Sequence, residues 1–301
     1  MNISEYDALA SEISLLEEML AQLPEEEIIE RIGLEHRLEM AKNQIASVQP
    51  EQIGHKAVLT FRGTPVIGNH GIAADFAAKA TGAFTDAVAA VAAGLADNLR
   101  DMGPIPNSEQ NQLLITGTAI GSFGFEFEAP KVNEDNAEAA LQKMQSLFRQ
   151  TVEGNDDSLT EMVEEIHPRA VRKAVDFLKV LREKNAWCAF SFQQNYFSFD
   201  SIKQVSTAIE RLSEENIQEK DENYQGELQG VLPKSRIFEF NSGDKILCGK
   251  IGLHIEDAHV LNRDYLHKPS RVILQVTQVG QGKPRYVLKK LEPVGWGDDS
   301  S

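Results

Sequence analysis

At 301 residues, with thirty Lys/Arg against forty-six Asp/Glu, the chain carries a formal charge of −16, which excludes coating nucleic acid or anionic lipid over its whole surface. Its 42% hydrophobic and 25% charged residues are ordinary for a globular protein, and the length suits two or three domains. No apolar run reaches bilayer length, and the acidic start MNISEYDALASE lacks the basic and apolar parts of a secretion signal, so the expected location is cytoplasmic.

Residues 1–50 read as a helical hairpin. Tyr6, Leu9, Ile13, Leu16, Leu20 and Leu23 recur at steps of three and four, a heptad seam. Pro24 interrupts it, Glu25 to Glu27 suit a helix start, and the seam resumes at Leu34, Leu38, Ala41, Ile45 and Val48. The two stripes either bury each other or mediate self-association and partner docking.

Residues 51–218 read as an α+β body. Lys56 to Phe61 is strand-like, Arg62 to Gly71 a loop, and Ile72 to Arg100 a long helix. The helix's charged positions, Asp75, Lys79, Asp86, Asp97 and Arg100, share one narrow strip, so a buried spine is expected. Strands follow at Leu113 to Ile120 and Phe123 to Glu128 around Gly121-Ser122; the alternating Phe123, Phe125 and Phe127 read as core. Helices are expected from Glu134 to Val152 and from Ser158 to Lys184. Ser158 has capping-box spacing to Glu161, and Pro168 either splits the second helix or opens a new one. Trp187 to Phe192 and Tyr196 to Phe199 form a hairpin, and Ser201 caps a last helix to about Ile217. The polar stretch Glu214 to Gln225 reads as a linker.

Residues 226–295 read as a small β-barrel of the OB type, with an SH3-like barrel as the competitor. The order is three strands (from Glu227, Arg236 and Lys245), a helix (from Glu256) and two strands (from Arg271 and Arg285). From Gly226 to Val294 there are eleven Lys/Arg against seven Asp/Glu; the remainder holds nineteen against thirty-nine. Such segregation lets one end meet an anionic partner. The residues expected to touch phosphate or carboxylate are Arg236, Lys245, Arg271, Arg285, Lys289 and Lys290. The plainer reading makes Phe238 and Phe240 core and the lysines a solvated edge.

No catalytic motif is specific enough to name a reaction. The loop Arg62 to Gly71 precedes a helix start and carries His70, with Asp75 one turn on. A hydrolase or nuclease built there is the alternative function. Its glycines match neither phosphate-binding signature, and a turn explains them equally. The seven histidines are dispersed. His254 and His259 diverge on a helix and the Glu161, Glu164, Glu165 cluster reads as a helix face, so neither a metal nor another cofactor is expected. Cys188 and Cys248 read as buried free thiols.

Four pieces, PEEEIIERIGLEHRLEMAK, FRGTPVIGNHGIAADFAAKA, NQLLITGTAIGSFGFEFE and the terminal barrel, together resemble modular, mostly uncharacterised bacterial proteins, some from toxin–antitoxin or phage-defence loci. The resemblance implies an intracellular protein acting through a partner and carries over no catalytic residue. The expected function is therefore a non-catalytic binding or adaptor protein with a protein or nucleic-acid partner.

Overall fold

The computed structural model describes residues 27–46, 56–68, 70–96, 99–100, 102–106, 112–119, 123–129, 134–193 and 195–294, with residues 13, 16, 17, 19, 20 and 23. Tyr6, Leu9, Pro24, Glu25, Glu26, Val48, His55, Asp97 and Gly121-Ser122 lie outside the described residues. The fold is mixed α+β and contains a closed five-stranded barrel near the C-terminus.

Helix α1 spans Ile28–Ala46. Leu34 and Leu38 on its expected seam are half-buried and Ala41 is buried, as is Leu16 upstream. Lys42 pairs with Glu17 at 2.7 Å.

The body is an antiparallel sheet with helices on one face. Its strands are β1 (Lys56–Gly63), β4 (Leu114–Ala119), β5 (Gly124–Glu128), β6 (Ala186–Phe192) and β7 (Asn195–Ser198), in the order β4-β5-β1-β6-β7. Strand side chains alternate faces, so Ala57, Leu59 and Phe61 of β1 and Cys188, Phe190 and Phe192 of β6 enter the core together. Between β1 and the long helix lies a ribbon of two-residue strands, β2 (Val66–Ile67) and β3 (Gly71–Ile72).

Helix α2 (Ala74–Leu95) is the buried spine, about 33 Å long. It is shorter than its apolar pattern suggested: β3 takes Gly71 and Ile72, and the last turn tightens at Ala96. Phe84 sits at its centre, with the rings of Phe127, Phe177 and Phe190 5.4–5.5 Å away. Asp86 and Asp75 on the polar strip pair with Lys173 (3.4 Å) and Lys184 (3.2 Å), tying the helix to α5.

Helices α3 (Glu134–Glu153), α4 (Asp156–Glu164), α5 (Pro168–Glu183) and α6 (Ile202–Arg211) complete the layer. Of the two alternatives at Pro168, the structure shows a new helix opening there. Pro168 opens α5 at its first turn, where a missing N–H costs nothing, and His167 Nδ1 accepts from Arg169 N–H. The cap of α4 is Asn155, whose side chain accepts from Ser158 N–H; Ser158 itself is not the cap. Ser201 does cap α6.

The barrel consists of β8 (Ile217–Leu232), β9 (Ile237–Asn241), β10 (Ile246–Ile251), β11 (Pro269–Val279) and β12 (Arg285–Pro293), with α7 (His259–Tyr265) between β10 and β11. It closes in the order β10-β12-β11-β8-β9, antiparallel throughout except for the parallel pair β10–β12. The linker expected at Glu214 to Gln225 is overturned: Ile217 to Glu227 pair continuously with Val279 to Pro269. Its polarity is that of a strand whose partner, β11, supplies the apolar row Val272, Leu274 and Val276. Phe238 and Phe240, 1% and 0% exposed, fill the barrel. Cys188 is buried as expected, but Cys248 is exposed on the barrel's outer surface.

Candidate functional site

The chain leaving β1 turns with positive φ at two of its glycines, Gly63 and Gly68. Gly63 has φ +108°, and a Cβ there would lie 2.3 Å from the Asn185 carbonyl. His70 is exposed, its backbone N–H bonded to Ile67 O at 3.0 Å. Asp75 is also exposed; Lys184, then the Phe76 N–H, hold its carboxyl below the usual range. Neither residue lines the cleft described below.

The six expected binding cations do not form one free surface. Arg236 is a structural clasp at φ +52°, donating to the carbonyls of Ile251 (3.3 Å), Gly252 (2.6 Å) and Ile255 (2.8 Å). Arg285 pairs with Glu161 at 3.5 Å, Lys289 with Asp221 at 2.9 Å, and Lys290 with Glu292 at 2.5 Å. Lys245 lies over the rings of Tyr224 and Tyr286. Arg271 is half-buried, opposite Gln225 and Glu292 in the strand register.

The barrel's charges meet the body instead. The acidic stripe of α4 faces the turn between β11 and β12. Asp156 and Asp157 accept from the backbone N–H groups of Gln281 (3.1 Å) and Lys283 (2.6 Å), and Thr160 Oγ1 from Val279 N–H (3.1 Å). Lys250 reaches Glu164 at 3.6 Å and Glu165 at 3.4 Å. Arg211 fixes the near end of α4, donating to the carbonyls of Gln150, Thr151 and Gly154 and to Asp156. The sequence displays this carboxylate stripe at steps of three and four; nothing in it names the barrel as the facing surface.

Beside the contact opens a cleft of about 580 Å³, lined among others by Val163, Glu164, His167 and Arg172 from the body and Val287 and Lys289 from the barrel. The Glu164 side chain is 5% exposed there, and burial raises its pKa against the opposing pull of Lys250 and Arg285. Neighbouring Glu165, bonded to Lys143, is shifted the other way. The sequence places Glu164 on a helix face with Glu161 and Glu165, and nothing in that spacing signals its burial.

The outer face of β9 and β10 meets the body at Lys250, and its other outward positions are exposed. Ile237, Glu239, Ile246 and Cys248 are exposed there, with Ile246 61% and Leu232 of adjoining β8 62% exposed. Register sets Leu232 and Lys250 either side of Ile237, and Cys248 opposite Glu239. Among the described residues no group of three or more His, Cys, Asp or Glu is placed to hold a metal ion, and no helix is long and apolar enough to cross a membrane. Compared with known families, curated proteins and solved structures, the chain matches none.

Proposed function

We propose that this chain is a non-catalytic binding protein of the cytoplasm. Its C-terminal barrel, of the OB type, engages a protein partner through the outer face of β9 and β10. The connectivity supports the barrel type: the strands close in the order one-two-three-five-four, the third and fifth run parallel, and a helix joins the third to the fourth. The exposed thiol of Cys248 suits a reducing compartment. The pairing of Glu17 with Lys42 and the burial of Leu16 and Ala41 support a helical hairpin over residues 1–50.

The carrying observation is how the barrel uses its cations. With the whole of β8 included, residues 217–294 hold twelve Lys/Arg against ten Asp/Glu. Lys250, Lys283 and Arg285 face carboxylates of α4, and Lys289 and Lys290 face carboxylates within the barrel. Phosphate binding needs cations free to replace counterions. The β9–β10 face offers aliphatic side chains with Glu239 among them, the composition of an interface that takes apolar anchors with a basic rim.

Co-purification from the native cells, using the full chain and the variants Ile237→Asp and Ile246→Asp, tests this. Both side chains point outward, so thermal stability should stay within about 0.5 kcal/mol of the parent. The partner present with the parent should be lost from both variants. A partner retained by both, or salt-sensitive binding of single-stranded oligonucleotides in its place, overturns the reading.

A further inference from the structure

The two ends of the barrel are closed differently. At one end α7 seals the core: Ala258 and Leu261 are buried in it, and Asn262 bonds both backbone groups of Val231. At the other end no described helix plays that role. Tyr224 of β8 and Tyr286 of β12 pack on the core there, ring centroids 6.4 Å apart and planes at 80°.

Lys245 precedes β10 at a position that alternates with buried Leu247; its side chain is exposed and lies at the rim of the barrel, over the rings of Tyr224 and Tyr286. Its backbone is anchored by Ser242, whose N–H and hydroxyl both donate to the Lys245 carbonyl. Its ammonium lies 5.1 Å from the centroid of Tyr224 and 5.7 Å from that of Tyr286. Both distances are within the range of cation–π attraction. Glu222, paired with Lys220 at 2.5 Å, also accepts from the Tyr224 hydroxyl and feels the Lys245 charge more weakly, placing a carboxylate at the same end.

We propose that this end of the barrel is a cation pocket for a methylated or quaternary ammonium group, which Lys245 occupies in the free protein and leaves when such a group enters. A lysine ammonium is compact and strongly hydrated, so each water it sheds against a ring is costly, and Lys245 stays exposed over the two rings. A quaternary ammonium, which forms no N–H hydrogen bonds to water, loses less and keeps the same electrostatic attraction to the ring faces. Burial and the Glu222 hydrogen bond raise the Tyr224 pKa, which keeps the ring a neutral phenol through the physiological range. The pocket shares no residue with Ile237 and Ile246, so it stands or falls separately from the outer-face reading.

The test is a titration of the full chain, its tyrosine rings labelled with carbon-13, with tetramethylammonium chloride against a sodium chloride control, read by NMR. The Tyr224 and Tyr286 signals, assigned by Tyr→Phe variants, should move and the other tyrosines should not. Lys245→Ala removes the internal competitor and should bind about tenfold more tightly if Lys245 fills the pocket some nine-tenths of the time. Lys245→Ala/Tyr286→Leu should lose the effect. Should Lys245→Ala be poorly folded, Lys245→Met keeps the stem and removes the charge. Phosphocholine and a trimethyl-lysine peptide, titrated into the same variant, separate a small-molecule from a peptide source. A folded Lys245→Ala or Lys245→Met protein whose two signals are moved by none of the three probes overturns the proposal. So does an equal response in the Tyr286→Leu double variant.

Discussion

Glu164 and Glu165 stand side by side at the end of α4, and the fold shifts them in opposite directions. Burial beside the cleft raises Glu164, so its ionised form is less comfortable folded than unfolded. Such a group stabilises only below its unfolded pKa, and that contribution is lost as pH rises through the higher folded value. Glu165, lowered first by its bond to Lys143, behaves conversely: its contribution is present above the ordinary glutamate value and disappears as pH falls through the lower one. At neutral pH the Glu164 carboxylate is therefore a net cost, and Lys250 retains Glu165 as a partner without it. Glu164→Gln should raise stability at pH 7, by less than about 1 kcal/mol because Lys250 compensates part of the burial. Near pH 4, where the native carboxyl is protonated, the gain should shrink toward zero. Calorimetric melting of both proteins at the two pH values checks this, and a lower melting temperature for the variant at pH 7 would contradict it.

Elements that bury one clean face were legible from the pattern of residues. The alternation in β6, the Ala-rich spine α2 and the aliphatic seam of α1 each follow from burial on one side. Where a neighbour carries the apolar share, the pattern fails. The first half of β8 reads as a linker because β11 supplies the core row, and hydrogen bonding to a strand does not depend on side-chain polarity. For the candidate site the gap is similar. Arg236 has the type and place expected of a ligand contact, but three backbone carbonyls claim it, and those lie fifteen or more residues away in sequence. The linker and strand readings part over proline. A linker accepts it anywhere, whereas neighbouring positions in a strand alternate in donating to the partner. Of Glu222→Pro and Asn223→Pro, opposite Leu274 and Ile273, at least one should therefore remove a ladder bond and cost about 3 kcal/mol or more. Urea denaturation of both measures the loss; two variants as stable as the parent would restore the linker.

Over the whole molecule, the charge difference between the two ends of the sequence becomes a docking surface. The ion pairs Lys283–Asp157 and Arg285–Glu161 are partly exposed and contribute little each. The directional part is the turn Gly280 to Lys283, whose backbone N–H groups reach Asp156 and Asp157. Behind it Val279, fully buried, joins the core of the body and not that of the barrel. A barrel that lends a residue to its neighbour's core should unfold with it, in one transition. Close approach makes the coupling testable at Gly282: a Cβ there would lie 2.7 Å from Asp156 O and 2.8 Å from Thr160 Oγ1. Gly282→Val must push the turn off α4, costing about 1–3 kcal/mol of docking, while the barrel's own core, Leu228 to Leu291, is untouched. The expected calorimetric result is one transition for the parent and two for the variant, with Gly230→Ala, where a Cβ meets nothing within 4 Å, behaving as the parent. A Gly282→Val protein that still melts in a single step at the parent's temperature would mean that the α4 contact does not couple the two parts.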